Sequence, residues 1–399
     1  MSPLQRFYRA VGAAAVCVLA VSAVCGAAPA PWTYQIELLP GQPVYNYAPQ
    51  VNSSGMVTWY GFDGSDQTTQ EIYLYDGSAT TQLTNNSYWD RVPEINAHGH
   101  VVWYGGDGND NEVYYYDGAT TTPLTCNTGH EWGPQLNDYG QAAWYGQYGA
   151  GKQAYCYDGA ASTRLSTSAV DITSVRINNQ GHVVWCDTLG ADQQVYYYNG
   201  STVSGVSPSG TPVGDVAIND SNQLAWRQYD GTNWEAWFRD GGTAQAITQG
   251  TKDVRNLRLN ESGQMAWYTL NGSIWLGGAT EAVVQFWDGT TVTDVCSFAW
   301  PYIDFPLDPW AYGDISISDT GAVAWTAWDG HDWEVFYWDQ TAVYQVTDTP
   351  YSEDGIDLSG NWLSWRGDFQ VFRSQYVPEP SIMVLLGVGA LGLARRKRA

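Results

Sequence analysis

Residues 95–118 read INAHGHVVWYGGDGNDNEVYYYDG, and this stretch decides the fold. An apolar residue and an asparagine, Ile95-Asn96, lead to Gly99, and a strand-like run centred on Trp103 follows. A polar segment then gives way to a second aromatic run, Glu112–Tyr116, which stops at Asp117-Gly118. Asn-x-x-Gly fits a type I turn closed by a residue at positive φ. Asp-Gly is a preferred two-residue hairpin sequence. Short aromatic runs between tight turns, without a helical period, predict antiparallel strands.

The same unit recurs along the chain. Its tryptophan returns as Trp59, Trp103, Trp144, Trp185, Trp226, Trp267, Trp325 and Trp365. Four residues earlier stands Gly55, Gly99, Gly140, Gly181, Gly263 or Gly321, and in two units Asn222 or Asn361. Asparagine is the replacement a left-handed position accepts best, so both exceptions fit the rule. The second aromatic run ends at Asp76, Asp117, Asp158, Asn199, Asp240 or Asp288, each before a glycine, and a short Thr-rich strand follows. A period near 40 residues with four strands per unit predicts an all-β propeller. The fixed place of the tryptophans predicts core packing between blades.

Seven units are complete, and the eighth, Ile356–Arg373, lacks its fourth strand. Tyr34–Leu39 is a spare strand-like segment, and we expect it to close the ring as the missing outer strand, removing open edges. Eight blades is the reading and seven the alternative. The Trp-Tyr-Gly and Tyr-x-Tyr-Asp-Gly elements resemble those of TolB-type propellers, a likeness that implies the fold and leaves function open.

The ends carry addresses. Arg6 and Arg9, an apolar run from Ala10 to Val24 and small residues to Ala28 make residues 1–28 a secretory signal peptide. Residues 29–376 form the propeller. In 377–399, Val377-Pro378-Glu379-Pro380 precedes an apolar run, Ile382–Ala394, and the basic cluster Arg395-Arg396-Lys397-Arg398. This order resembles the PEP-CTERM sorting tail. The resemblance implies a Gram-negative cell, an exosortase-type enzyme acting near Pro378, Glu379 and Pro380, and transient anchoring by a short membrane helix until processing. It implies a final location at the cell surface or in an extracellular polysaccharide matrix.

The formal net charge is −24, and removing both basic ends leaves a still more acidic body. Nucleic acid and anionic membranes are therefore excluded as partners. Four cysteines remain after the signal, Cys126, Cys156, Cys186 and Cys296; they allow three pairings, and the sequence leaves disulfides and buried thiols both open.

Antiparallel topology puts the Asn-x-x-Gly and Asp-Gly turns on one face of the disc. The loops between strands 2 and 3, and those crossing between blades, lie on the other, where a site is expected. Two insertions, of 7 and 10 residues, fall there in blade 6. The second holds Trp300, Tyr302, Asp304, Trp310 and Tyr312 within Phe298–Tyr312, a proline-stiffened aromatic segment suited to stacking on sugar rings, to anchoring a protein, or to plugging the channel. Trp89 and Trp132, between blades, are further aromatic candidates. Asp107, Asn109, Asp110 and Glu112 offer oxygens for Ca²⁺, against the reading of a solvated turn, and Asp329-Gly330-His331-Asp332 resembles them. No catalytic motif is present. The sequence reads as an exported, non-catalytic binding or scaffold protein contacting polysaccharide or protein; the alternatives are a secreted polysaccharide lyase or hydrolase and a ligand-free structural spacer.

Overall fold

The computed structural model describes residues 36–64, 69–149, 151–167, 171–188, 193–270, 281–300 and 314–376. Among them are eight antiparallel four-stranded sheets arranged as propeller blades, and no helix. No helix among the described residues is long and apolar enough to cross a membrane. In blade 2 the strands are β6 (Asp90–Ile95), β7 (Val101–Gly106), β8 (Asn111–Tyr116) and β9 (Thr121–Pro123), paired in that order. Blades 1 and 3–7 repeat this order.

The last blade closes the ring. It contains β30 (Glu353–Ser359), β31 (Trp362–Gly367), β32 (Gln370–Gln375) and, from the other end of the chain, β1 (Glu37–Leu38). Glu37 lies opposite Arg373 and Leu38 opposite Phe372. The Gln42 side chain binds the Val371 backbone on both sides, its Nε2 donating to the carbonyl at 2.8 Å and its Oε1 accepting the N–H at 2.7 Å. The expected outer strand is therefore present, and eight blades replace the alternative of seven.

The eight repeated tryptophans are all buried. Seven stack on the strand 3 aromatic opposite, as Trp59 does on Tyr73 at 5.7 Å and Trp103 on Tyr114 at 5.8 Å. In blade 6 the partner is Gln285, whose Oε1 accepts from the Trp267 indole at 2.9 Å. Each aromatic pair contributes about 0.5–1.5 kcal/mol beyond the area it buries. Cys126, Cys156 and Cys186 are free thiols, the latter two buried.

The Asn-x-x-Gly turns have a second role. The Oδ1 of Asn96 accepts from His98 N and His100 N, which fixes its own turn, and Gly99 has φ 82°. Its Nδ2 donates to the Asn137 carbonyl in the next blade at 3.0 Å. The same bond runs from Asn52 to Asn96, Asn137 to Asn178, Asn178 to Asn219, Asn219 to Asn260 and Asn260 to Ser318. These buried amides form a polar belt that stitches seven blades together and satisfies both ends of each side chain. Between blades 8 and 1 the belt is replaced by Arg373, which donates to the Gly55 carbonyl and to Glu37.

Two turn assignments need correction. Except at Asp240, where Phe238 pairs with Gln245, the Asp-Gly and Asn-Gly elements are four-residue loops: Tyr75 pairs with Thr80, and only Gly77 has positive φ. The Asp76 carboxylate accepts from Ser78 N and Ala79 N and holds the loop, so the side chain supplies what a two-residue turn would take from its backbone. In blade 8, Ser359 pairs directly with Trp362, and Gly360 (φ 58°) rather than Asn361 adopts the left-handed conformation. That is the pattern of a two-residue turn with glycine first.

Candidate functional site

On the loop face, the polar residues are left less satisfied. In blade 2 the loop after β7 begins Asp107-Gly108-Asn109-Asp110. The Asp107 Oδ1 accepts from Asn109 N at 2.7 Å and Asp110 N at 3.1 Å. Those bonds hold its carboxyl below the usual range and fold the loop so that Asp107, Asp110 and Glu112 present oxygens within 4.8 Å of one another. Asn109 is exposed, and both its backbone N–H and its side chain bond to Asp107.

A fourth carboxylate arrives from the next blade. Glu131 opens β10 (Glu131–Leu136), the inner strand of blade 3, and lies against Glu112 and near Asp110. Asn127 links the two glutamates: its N–H donates to Glu112 Oε1 at 2.7 Å and its Nδ2 to Glu131 Oε1 at 2.7 Å. The remaining oxygens, Glu112 Oε2, Glu131 Oε2 and Asp110 Oδ1, are buried and take no hydrogen bond. Burial, then the charges of Glu112 and Asp110, pushes Glu131 up to about 8.

Blades 7 and 8 repeat the construction. Asp329 Oδ1 accepts from His331 N and Asp332 N; Asp329, Asp332 and Glu334 converge within 4.8 Å; and Glu353, the first residue of β30, joins Glu334. Thr349 bridges them, its N–H donating to Glu334 Oε1 at 2.7 Å and its Oγ1 to Glu353 Oε1 at 2.8 Å. Glu334 Oε2 and Glu353 Oε2 are buried without a hydrogen bond. Burial raises both carboxyls, and the charge of Glu353 raises Glu334 further. Sequence reading missed Glu131 and Glu353, yet each follows its partner, Glu112 or Glu334, by 19 residues.

Blade 5 carries the same loop with another outcome. Asp230 folds Asp230-Gly231-Thr232-Asn233 identically. Here Asn233 stands where the other loops have a second aspartate. Glu235 is satisfied by Thr248 Oγ1 and Gly250 N, and Asp253 of the next blade pairs with Arg255 at 3.3 Å. At the junction of blades 1 and 2, Asp90 is likewise satisfied, by the Trp103 indole at 3.0 Å and Asn86 Nδ2 at 2.7 Å.

The aromatic candidates divide. Trp89 is half-buried beneath the Arg91 guanidinium, 4.8 Å from the ring centre, with Tyr104 at its edge. Trp132, also half-buried, lies in β10 rather than in a loop; it stacks on Tyr145 and His130 and carries the Lys152 ammonium at 5.5 Å. Part of the blade 6 insertion is strand: β25 (Val292–Ala299) is much longer than the other outer strands. That buries Phe298 and packs Trp300 against Trp333 at 5.1 Å. Tyr302, Asp304, Trp310 and Tyr312 lie outside the described residues, as do the processing residues Pro378, Glu379 and Pro380.

The inner strands bulge one turn before the belt, as between Arg91 and Glu94 or Arg255 and Arg258. Near the ring axis, Glu94 feels Arg176, Asp357 and Arg258 from other blades, and burial raises it to about 7. Its carboxylate accepts from Gln135 Nε2 at 3.1 Å. Beside Arg176 and Arg258 a cavity of about 150 Å³ is lined by Ser174, Asp215 and Leu257.

Residues 377–398 match the PEP-CTERM protein-sorting motif. The chain is thus an exported protein with a C-terminal membrane-anchoring sorting signal, processed by an exosortase-type enzyme. No curated protein matches it by sequence. The fold is similar to that of Porphyromonas gingivalis dipeptidyl peptidase 4, at 12% identity and TM-score 0.54 over 82% of this chain and 56% of that one. It is also similar to a puromycin-hydrolyzing peptidase of Mycobacterium tuberculosis, at 14% identity and TM-score 0.53 over 75% and 53%. The chain spans about half the length of these two peptidases. TolB from Acinetobacter baumannii matches at 13% identity and TM-score 0.39 over 60% of each chain. At such identities the likeness establishes the propeller fold alone.

Proposed function

We propose that this exported propeller is a non-catalytic binding or scaffold protein of the cell surface or extracellular matrix, and that its loop face holds a polysaccharide or a protein. One observation carries the reading: the belt face uses its polar groups on itself, whereas the loop face keeps half-buried tryptophans under cations and carboxylates without partners. Trp89 with Arg91 and Trp132 with Lys152 occupy neighbouring blades at the start of the inner strand. Aromatic faces flanked by fixed charge suit the stacking of sugar rings.

The test is a polysaccharide-panel titration of the full chain, read by tryptophan fluorescence, with W89A and W132A beside it. Saturable binding to one glycan class, weakened by either substitution in a folded protein, supports the reading. Silence across the panel moves the occupant to a protein. A second reading, lyase or hydrolase, draws on Glu94, a carboxyl raised to about 7 near the channel axis and therefore suited to general acid chemistry. Product release that E94Q abolishes supports that reading over the first.

A further inference from the structure

We propose that the junctions between blades 2 and 3 and between blades 7 and 8 each bind one Ca²⁺-like divalent cation. The ligands are Asp107, Asp110, Glu112 and Glu131 at the first and Asp329, Asp332, Glu334 and Glu353 at the second. The proposal shares the unpartnered carboxylates with the reading above, but its test, cation binding, fails separately from the glycan titration.

Three observations carry it. First, the geometry fits: Ca²⁺ takes oxygen ligands at about 2.3–2.6 Å, and the oxygens of each loop trio lie within 4.8 Å of one another, about twice that bond length. Each fourth carboxylate touches its glutamate partner from the adjoining blade. Second, buried carboxylate oxygens face each cluster with no hydrogen bond: Asp110 Oδ1, Glu112 Oε2 and Glu131 Oε2 at one, Glu334 Oε2 and Glu353 Oε2 at the other. These residues are at most 8% exposed. A buried carboxylate oxygen without a donor calls for a proton or a cation. Among the described residues no salt bridge involves any of the eight carboxylates.

Third, the molecule contains its own control. The blade 5 loop has the same Asp-Gly opening and the same turn hydrogen bonds, so loop geometry alone does not create the site. There Asn233 replaces the second aspartate, protein donors satisfy Glu235, and Arg255 pairs with Asp253. Where the fourth loop residue is Asp and the next blade brings Glu without an arginine, oxygens are left over on both partners; at the junction of blades 1 and 2, where the next blade brings Asp90, only Glu71 Oε2 is left over. His130 and His331 lie near Asp110 and Asp332, but oxygen donors dominate both clusters, which favours a hard cation over a transition metal. Bound there, the ion would tie each loop to the following blade, and at the second junction would fasten the closing blade to the ring.

Calorimetric titration of the full chain with Ca²⁺, after removal of metal with a chelator, tests the proposal. Two ions should bind per chain. E334Q/E353Q and E112Q/E131Q should each leave one, their combination none, and E235Q should leave two. Because buried substitutions can disturb folding, the more accessible ligands give a second measure: D107N or D329N should weaken one site at least about tenfold and spare the other. Absence of Ca²⁺ binding to the folded wild type, a stoichiometry that the combined Gln variant does not change, or binding of Zn²⁺ but not Ca²⁺ would overturn it.

Discussion

The two faces of the disc are built from the same repeat and finish it differently. On the belt face, each buried asparagine caps its own turn and reaches the next blade, so its amide oxygen and nitrogen are both used. On the loop face, at the junctions of blades 2 and 3 and of blades 7 and 8, a glutamate instead meets a second glutamate from the next blade. A neutral amide carries donor and acceptor together and can be passed around a ring indefinitely. A carboxylate has acceptors only and needs a hydrogen-bond donor, a proton or a cation. One face of this propeller is therefore complete in itself, and the other is arranged to receive something.

The comparison can be broken most severely where the belt is interrupted. Arg373 replaces the asparagine link between blades 8 and 1; it is buried over Trp362 and Tyr75 and bonded to Glu37. We expect Arg373→Met to cost about 3–5 kcal/mol, in the range for breaking a buried charge network, with urea unfolding as the readout. Loss of under 1 kcal/mol would mean that strand pairing alone closes the ring.

Asn137→Ala attacks the intact belt. It removes the bond to the Asn178 carbonyl, which keeps the Gly181 N–H, and leaves the backbone N–H groups of Tyr139 and Gln141 without their partner, for an expected cost of about 2 kcal/mol. Ligand and cation binding on the opposite face should be unchanged.

Asp90 sharpens the contrast among junctions, because its hydrogen bonds do not offset its burial and its carboxyl rises to about 6. A folded-state pKa above the unfolded one contributes stability that is full below about pH 4 and is lost as pH rises through about 6. Wild type should therefore lose about 2 kcal/mol or less between pH 4 and 7 from this group, each pK unit being worth about 1.4 kcal/mol. Asp90→Asn should remove that slope in parallel unfolding curves, and an unaltered slope would contradict the assignment.

The smallest effect on stability is expected from Trp132→Ala, about 1 kcal/mol for a half-buried ring under Lys152. Its effect on ligand affinity should be the larger of the two, and fluorescence titration beside thermal unfolding separates them.

The period of the tryptophans made the blades and their number legible, since a repeated core position leaves a regular trace in sequence. The closing strand was legible because Ile356–Arg373 lacked its fourth strand and Tyr34–Leu39 was spare. Asp107, Asp110 and Glu112 were visible as a loop cluster. Glu131 and Glu353 were not, because the contact crosses a blade junction and depends on where the next inner strand begins. The belt was half visible: Asn-x-x-Gly reads as a turn, and nothing local says that Asn96 also reaches Asn137. Phe298 and Trp300 were read as loop aromatics because strand 4 is short in every other blade; its extension to Ala299 takes Phe298 into the core.

Hydrogen–deuterium exchange of the full chain, with and without Ca²⁺, tests the difference between the faces most directly. Slowed exchange confined to 107–112, 127–131, 329–334 and 349–353, with the belt turns and 230–235 unaltered, is the predicted result. Protection spread evenly over both faces, or none at the two acidic junctions, would contradict it.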